Sequence, residues 1–399
     1  MSMHRIGIVL NGATGRMGRS QHLMASLVAM REEGGLKMSD GSRLMPDPII
    51  VGRDPARLEA VAREAGVARW TTDLDAALRD DGDGIYFDAL PPLARGAALR
   101  KALEAGKHVF AEKPLTSDLP QAVELLDLAR RRGVKHGVVC DKLWAPGIVK
   151  LRGLMDEGFF GRILMVRVEG CHWAFEGRDE ALQRPSWNYR RSTGGGIALD
   201  MLPHYANIVT AIAGAPLDVV AHAGTLVPKR WDEAGRPYSV DVEDSVLAIS
   251  RLPGGAMAQA TCSWALRVRR DDVLTVQVDG SEGSAVAGLT DCHIQSRAQT
   301  TRAVWSRDGA PPLDYRRDWK PVPHRPPYTN PYRVQWEHFL RHVAEDAPFP
   351  WDMAAGIEAM RYAAACMESS RERRWVDLRP ASDATHIGPA ASQHKELPR

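Results

Sequence analysis

Cysteine is scarce in this 399-residue sequence: Cys140, Cys171, Cys262, Cys292 and Cys366 are odd in number and form no Cys-x-x-Cys pair. That excludes a disulfide framework and a zinc knuckle, and suits reduced thiols in a cytoplasmic protein. No charge of one sign dominates, with 52 Lys+Arg against 50 Asp+Glu and a formal net charge of +2. Without a polyanion footprint, neither nucleic acid nor an anionic membrane surface is an expected partner. No stretch approaches the ~18 uncharged apolar residues of a membrane-spanning helix. The most apolar region, 197–227, is broken by Asp200, Pro203, His204, Pro216 and Asp218. The start, MSMHRIGIVLNG, runs at once into a strand and a glycine loop with no cleavage site behind it, so export is not expected. One histidine pair, His338 and His342, has ligand-like spacing. Phe339 stands where a metalloprotease helix needs Glu and no third ligand is near, so no metal is expected.

What is present is length for two or three domains and a 44% hydrophobic fraction to fill their cores. The first 143 residues alternate short apolar strands (Ile6–Leu10, Pro48–Gly52, Ile85–Phe87, Lys107–Ala111, Lys135–Val139) with helical periodicity, the signature of a doubly wound parallel sheet. From Trp144 the rhythm changes. One helix at Pro146–Glu157 precedes strands with period-two alternation, as at Val246, Ala248 and Ser250, which predicts an open, mostly antiparallel sheet with one covered face. Helices return at Pro331–Glu345 and Met353–Arg373. The expected fold is therefore α/β, with an N-terminal dinucleotide-binding domain over 1–143 and a C-terminal α+β domain over 144–379. Residues 380–399 read as a disordered tail, 308–331 as an extended arm, and 34–45 as an insertion before the second strand.

The loop Gly12, Ala13, Thr14, Gly15, Arg16, Met17, Gly18 follows the first strand and opens the first helix. Glycines there let the backbone approach a pyrophosphate seated on the positive helix end, as in a Rossmann fold. At the end of the second strand an acidic residue would bind the ribose of NAD, and this chain has Gly52, Arg53 and Asp54. Gly52 makes room and Arg53 can pair with a 2′-phosphate, which favours NADP. Asp54 keeps NAD open as the alternative.

Three further islands complete the pattern: a strand ending in Glu112-Lys113-Pro114, the run Gly194-Gly195-Gly196…Asp200…His204, and Glu243-Asp244-Ser245 followed by a hairpin around Pro253-Gly254-Gly255 and Ser263-Trp264. With the amino-terminal loop they resemble the Gfo/Idh/MocA family, named for glucose–fructose oxidoreductase and inositol dehydrogenase, over roughly Ile6 to Leu378. The resemblance implies a nicotinamide-dependent oxidoreductase acting on a secondary hydroxyl or keto group of a sugar, glycoside or cyclitol. It puts Lys113, Asp200 and His204 on catalytic positions and Ala89, Leu90, Glu112 and Pro114 on the cofactor side. It also implies a homodimer or homotetramer. The residue types agree: histidine suits exchange of a hydroxyl proton near neutral pH, with activity expected to fall as it protonates, and lysine suits a developing alkoxide. Four residues apart on a helix, Asp200 and His204 share a face, so the carboxylate can orient the imidazole or hold a substrate hydroxyl.

Flanking residues Lys142, Trp144, Trp173, Trp187, Asn188, Tyr189, Arg190 and Tyr205 suit a sugar ring and its hydroxyls. The chain departs from the family pattern in a longer glycine loop and in Pro203. Because proline is tolerated only in a first helical turn, that helix is expected to begin near Asp200. Two other activities remain open from sequence. One is a redox-assisted lyase or glycosidase with recycled cofactor, and the other a non-catalytic dinucleotide sensor. The loop string is also similar to that of dihydrodipicolinate reductase, a much shorter enzyme without the Glu-Lys-Pro island.

Overall fold

The structure, a computed structural model, describes residues 2–180, 185–301, 314–323 and 330–379. The first strand, β1 (Met3–Asn11), is buried at every position from Gly7 to Asn11, as a strand covered on both faces must be. It is followed by helix α1 (Met17–Val28), wound wide as a π-helix over its length with the Ala29 N–H on Met24 O, and continued by Ala29–Glu32. The series proceeds through β2 (Leu36–Lys37), β3 (Arg43–Val51), α2 (Pro55–Ala65), β4 (Arg69–Thr71), α3 (Leu74–Arg79), β5 (Ile85–Asp88), α4 (Pro92–Glu104), β6 (His108–Ala111), α5 (Leu119–Arg132) and β7 (His136–Val138). The sheet order is β2-β3-β1-β5-β6-β7, with β4 also on β3, and every pair but β2–β3 is parallel. The chain leaves β1 towards β3 and returns on its other side at β5, so a crevice opens at the carboxyl ends of these strands.

The predicted strands and helices of this half are present, with β4 and α3 in addition. The insertion at 34–45 forms the β2–β3 hairpin. Helix starts differ in a way that matters. Asp54, Asp73 and Asp118 cap α2, α3 and α5 by accepting the N–H three residues on, whereas α1 has neither a side-chain cap nor an acidic residue in its first turn.

After α6 (Pro146–Asp156) the second half builds a nine-stranded sheet. Its strands are β8 (Ile163–Cys171), β9 (Asp218–Gly224), β12 (Ser245–Arg251), β13 (Met257–Ser263), β14 (Leu274–Gly280), β15 (Gly283–Ala287), β16 (Cys292–Ser296), β17 (Lys320–Pro321) and β18 (Val376–Asp377). A separate hairpin pairs β10 (Lys229–Trp231) with β11 (Pro237–Ser239). The large sheet is antiparallel except where β13 lies parallel to β8. Helices α7 (Ile197–Ala213) and α9 (Met353–Glu372) cover one face, burying Val246, Ala248 and Ser250, while Leu247 and Ile249 between them stay about half exposed (53% and 52%).

Two expectations need correction. Helix α7 begins at Ile197, not near Asp200, and Pro203 sits in its second turn. Helix α8 (Pro331–Glu345), in the segment assigned to the second domain, packs on the first sheet. Its Trp336, Phe339 and Leu340 are fully buried beside Phe87 and Phe110, with the Phe110 and Phe339 rings stacked at 4.7 Å. The insertion straps the same helix through Ser39 Oγ on Glu345 (2.8 Å) and Arg341 on Lys37 O (3.2 Å). Of the predicted arm, 308–313 and 324–329 lie outside the described residues, as does the predicted tail from 380.

Candidate active site

The crevice holds a cavity of about 670 Å³ lined from both halves. On the first-sheet side, Gly15, Arg16, Met17, Ala89, Leu90, Glu112, Lys113 and Pro114 line it. Gly12, Ala13 and Thr14 lie behind them in the same loop. Gly12 is required twice over: its φ is +86°, and a Cβ there would stand 2.9 Å from the Ala89 carbonyl carbon. A Cβ on Gly18 would meet Gly12 O at 2.3 Å. This tight loop, feeding an uncapped helix start, fits the pyrophosphate of a dinucleotide.

Gly52, Arg53 and Asp54 stand outside the cavity at the end of β3, which the loop joins through Gly12 N–H on Val51 O at 3.1 Å. Asp54 caps α2 through Arg57 N–H (3.1 Å), Arg53 is exposed, and the Arg57 guanidinium reaches Thr14 O at 3.4 Å.

The strand-end loops are fixed from below by a buried network. Asn11 donates to the Tyr86 hydroxyl (2.9 Å), Tyr86 donates to Asp88 (2.6 Å), and Arg95 bonds Asp88 (3.1 Å), Glu112 O (2.7 Å) and Pro114 O. Arg95, a buried cation that sequence reading passed over, thus staples the Glu-Lys-Pro loop to β5.

Opposite stands α7. Gly196, with φ +121°, lets the chain pass within reach of Glu243, whose carboxylate accepts Ala198 N–H at 3.0 Å and caps the helix. This explains why the triple-glycine and Glu243-Asp244-Ser245 islands occur together. Pro203 cannot donate in the second turn. The Asp200 carbonyl in that region accepts from Lys113 Nζ (2.7 Å), which also pairs with Asp200 Oδ1 at 2.9 Å. Lys113, Asp200 and His204 are therefore brought together at the junction of the halves.

The orienting carboxylate for the imidazole is a different one. His204 Nδ1 faces Asp141 Oδ1 at 3.6 Å, too long for a hydrogen bond but close enough for charge to orient the ring, while Asp200 is engaged by Lys113. Asp141 is buried, pairs with Lys142 at 2.7 Å, and is hydrogen-bonded to Tyr332 at the start of α8. Burial raises the Asp141 carboxyl, but Lys142 and the other cationic neighbours outweigh it and hold the group well below the carboxylate range. Burial first, then Lys113 and Lys142, push His204 down to about 3, against Asp141 and Asp200. The imidazole is thus held neutral in the neutral range, which moves the fall in activity expected from its protonation to lower pH.

Among the predicted sugar contacts, Lys142, Trp187, Asn188 and Tyr205 line the cavity. Trp144 stacks on His338 at 4.5 Å, packing against α8, and Trp173 lies half exposed outside the cavity. Tyr189 packs under Arg230 (4.4 Å) and Arg190 over Tyr238 (4.3 Å), so neither reaches the cavity. Ser263 and Trp264 of the third island also line it, and Asp141 and Tyr332 are lining residues that sequence reading missed. Asp141 stands three residues past β7, the last strand of the first sheet, whose carboxyl end faces the crevice. Among the described residues no group of His, Cys, Asp and Glu side chains could hold a metal, and no helix is long and apolar enough to cross a membrane.

Comparison with known proteins agrees with this architecture. The family model for the oxidoreductase family with NAD-binding Rossmann fold matches residues 7–139, and that for the GFO/IDH/MocA C-terminal domain matches 148–286. D-xylose dehydrogenase of Paenarthrobacter nicotinovorans is 43% identical over 94% of this chain and 97% of its own length. Levoglucosan dehydrogenase of Pseudarthrobacter phenanthrenivorans is 23% identical over 83% and 89%. Among solved structures, levoglucosan dehydrogenase in complex with NADH and levoglucosan superposes with a TM-score of 0.79 at 21% identity, covering 94% of this chain and all of that one. A glycine cradle before an uncapped helix, a lysine at a strand end and a histidine across the crevice thus occur in a chain that belongs to the Gfo/Idh/MocA family of nicotinamide-dependent oxidoreductases.

Proposed function

We propose that the protein is a sugar dehydrogenase that oxidises a ring hydroxyl of an aldose in its pyranose form, with D-xylose and related pentoses the first substrates to test. The observation that carries this reading is the meeting of Lys113, Asp200 and His204 in one cavity walled by Trp187 and Trp264. The similarity to D-xylose dehydrogenase directs the choice of sugar. When bound, the nicotinamide supplies the hydride acceptor.

With Nδ1 turned to Asp141, His204 presents Nε2 to the substrate hydroxyl and accepts its proton. A neutral imidazole can do so at any working pH above its depressed pKa. The Lys113 ammonium, held by Asp200, stabilises the oxygen as negative charge develops. Lys142 and Asn188 meet further hydroxyls, and the indole faces meet the C–H side of the ring.

Arg53, beside a capping Asp54, supports a preference for NADP(H) over NAD(H). The apolar stripe left open on the second sheet supports assembly into a homodimer or homotetramer. A panel of pyranoses and cyclitols with both cofactors, followed at the nicotinamide absorbance, tests the reading. Turnover of none of them overturns it. A cofactor retained through purification with no net reduction, alongside cleavage of a glycoside, would replace it with the redox-assisted lyase.

A further inference from the structure

Behind the Glu112-Lys113-Pro114 loop lies a buried polar chain that takes no direct part in the reaction. His22, on α1, is fully buried, with its ring against Phe87 (4.2 Å between centroids) and Tyr332 (5.2 Å). Its Nδ1 lies 3.1 Å from Trp336 Nε1, and its Nε2 lies 2.8 Å from Glu112 Oε1. An indole nitrogen only donates, so Nδ1 must be the acceptor. The ring's proton is then on Nε2, which donates to Glu112. The other Glu112 oxygen accepts the Lys113 backbone N–H at 3.1 Å, so both oxygens are engaged.

The arrangement has a physical consequence for Lys113. Glu112 is 6% exposed, and a buried carboxylate that loses a donor seeks another. A strong candidate is the ammonium of the next residue, which already lowers the Glu112 carboxyl through its charge and now rests on Asp200. We propose that His22 and Trp336 are positioning residues: the indole N–H selects the His22 tautomer, and that tautomer holds Glu112 away from the Lys113 ammonium, leaving it on Asp200 and open to the substrate oxygen. The relay joins α1, the end of β6 and α8, three elements remote in sequence. Burial raises the Glu112 carboxyl, but His22 and then Lys113 outweigh it and keep the group below its ordinary range. The inference rests on the proposed role of Lys113.

The test compares His22→Gln, whose amide can still donate to Glu112, with His22→Met, which fills similar space without a donor, and with Trp336→Phe. We expect His22→Met and Trp336→Phe to lower kcat roughly 10- to 100-fold while the KM for sugar and the cofactor Kd stay within about threefold, and His22→Gln to keep most of the turnover. Crystal structures of the two His22 variants should show Glu112 turned towards Lys113 in the Met form only. Nitrogen-15 NMR of the unsubstituted protein should show Nδ1 bare and Nε2 protonated. Equal kcat of the Met and Gln forms at equal Tm, an unmoved Glu112 in the Met form, or a proton on Nδ1 each overturns the relay. Failure of the unsubstituted protein to turn over any sugar overturns the dehydrogenase reading alone. The Glu112 position and the His22 tautomer then still decide the relay.

Discussion

The two sheets of this molecule are covered differently, and each is used accordingly. The parallel sheet is buried on both faces, so it has only strand ends to offer, and its binding surface is the crevice where β1, β5 and β6 terminate. The nine-stranded sheet is covered on one face by α7 and α9, and among the described residues its other face is open around β12. It contributes to the crevice through α7 and through residues of its own strands such as Gly170, Cys171 and Ser263, and its open face carries Leu247, Ile249 and Met257 outward. The lesson is that a parallel sheet offers chemistry at its edge of termination, whereas a one-sided antiparallel sheet offers a wall and a surface.

The comparison breaks most severely at the crevice. His204→Asn should lower kcat by about 10²–10⁴ and Lys113→Ala by about 10²–10³ with cofactor still bound, measured by steady-state kinetics beside cofactor titration. Lys113→Arg should recover little, because the wider planar guanidinium keeps the charge but does not place a compact donor at the developing oxygen. Next comes the open face. A Leu247→Lys, Ile249→Lys pair should weaken self-association by on the order of a hundredfold or more while turnover per folded protomer persists, read by sedimentation and circular dichroism. If the pair leaves the assembly intact, the open face is not its interface.

Arg53→Ala should weaken NADP(H) by about 1.5–3 kcal/mol in titration calorimetry and leave NAD(H) nearly unchanged. An effect of similar size concerns acid. His204 is depressed from 6.5 to about 3 in the folded protein, so between those values the unfolded chain binds the extra proton. Stability from this group is therefore complete above the unfolded value and falls as pH drops, by up to about 1.4 kcal/mol per pH unit. Tm measured from pH 7 to 4.5 should fall less steeply for His204→Asn than for the unsubstituted protein.

What the sequence made legible follows from periodicity and from local motifs. Strand–helix alternation marked the first sheet, and the 246–250 alternation marked which face of the second is covered, because both patterns are written in neighbouring residues. Lys113, Asp200 and His204 stood in motifs that mark themselves. Asp141 and Arg95 did not, since a lone Asp after a strand and an Arg in a helix read as solvated until tertiary packing buries them. Tyr332 reaches the cavity only because α8 returns to the first sheet, which no local pattern announces. Trp144, Tyr189 and Arg190 misled for the converse reason: in composition, a tryptophan against a core and one facing a sugar look alike. Pro203 misled through a rule about isolated helices. In the structure the helix runs on through Pro203 from Ile197 to Ala213, with its apolar side buried in the core of the second half.

The return of α8 also sets an order of events in biosynthesis. Phe87 and Phe110 complete their packing against Trp336 and Phe339, which follow more than two hundred residues later in the chain. A nascent chain released only as far as residue 143 holds every strand of the first sheet and still leaves those ring faces wet. The dinucleotide-binding half therefore reaches its final core only once the ribosome has delivered α8. A gene fragment cut at the change of rhythm near Trp144 should give a product that aggregates, and one that carries 331–349 tethered back to it a product that folds.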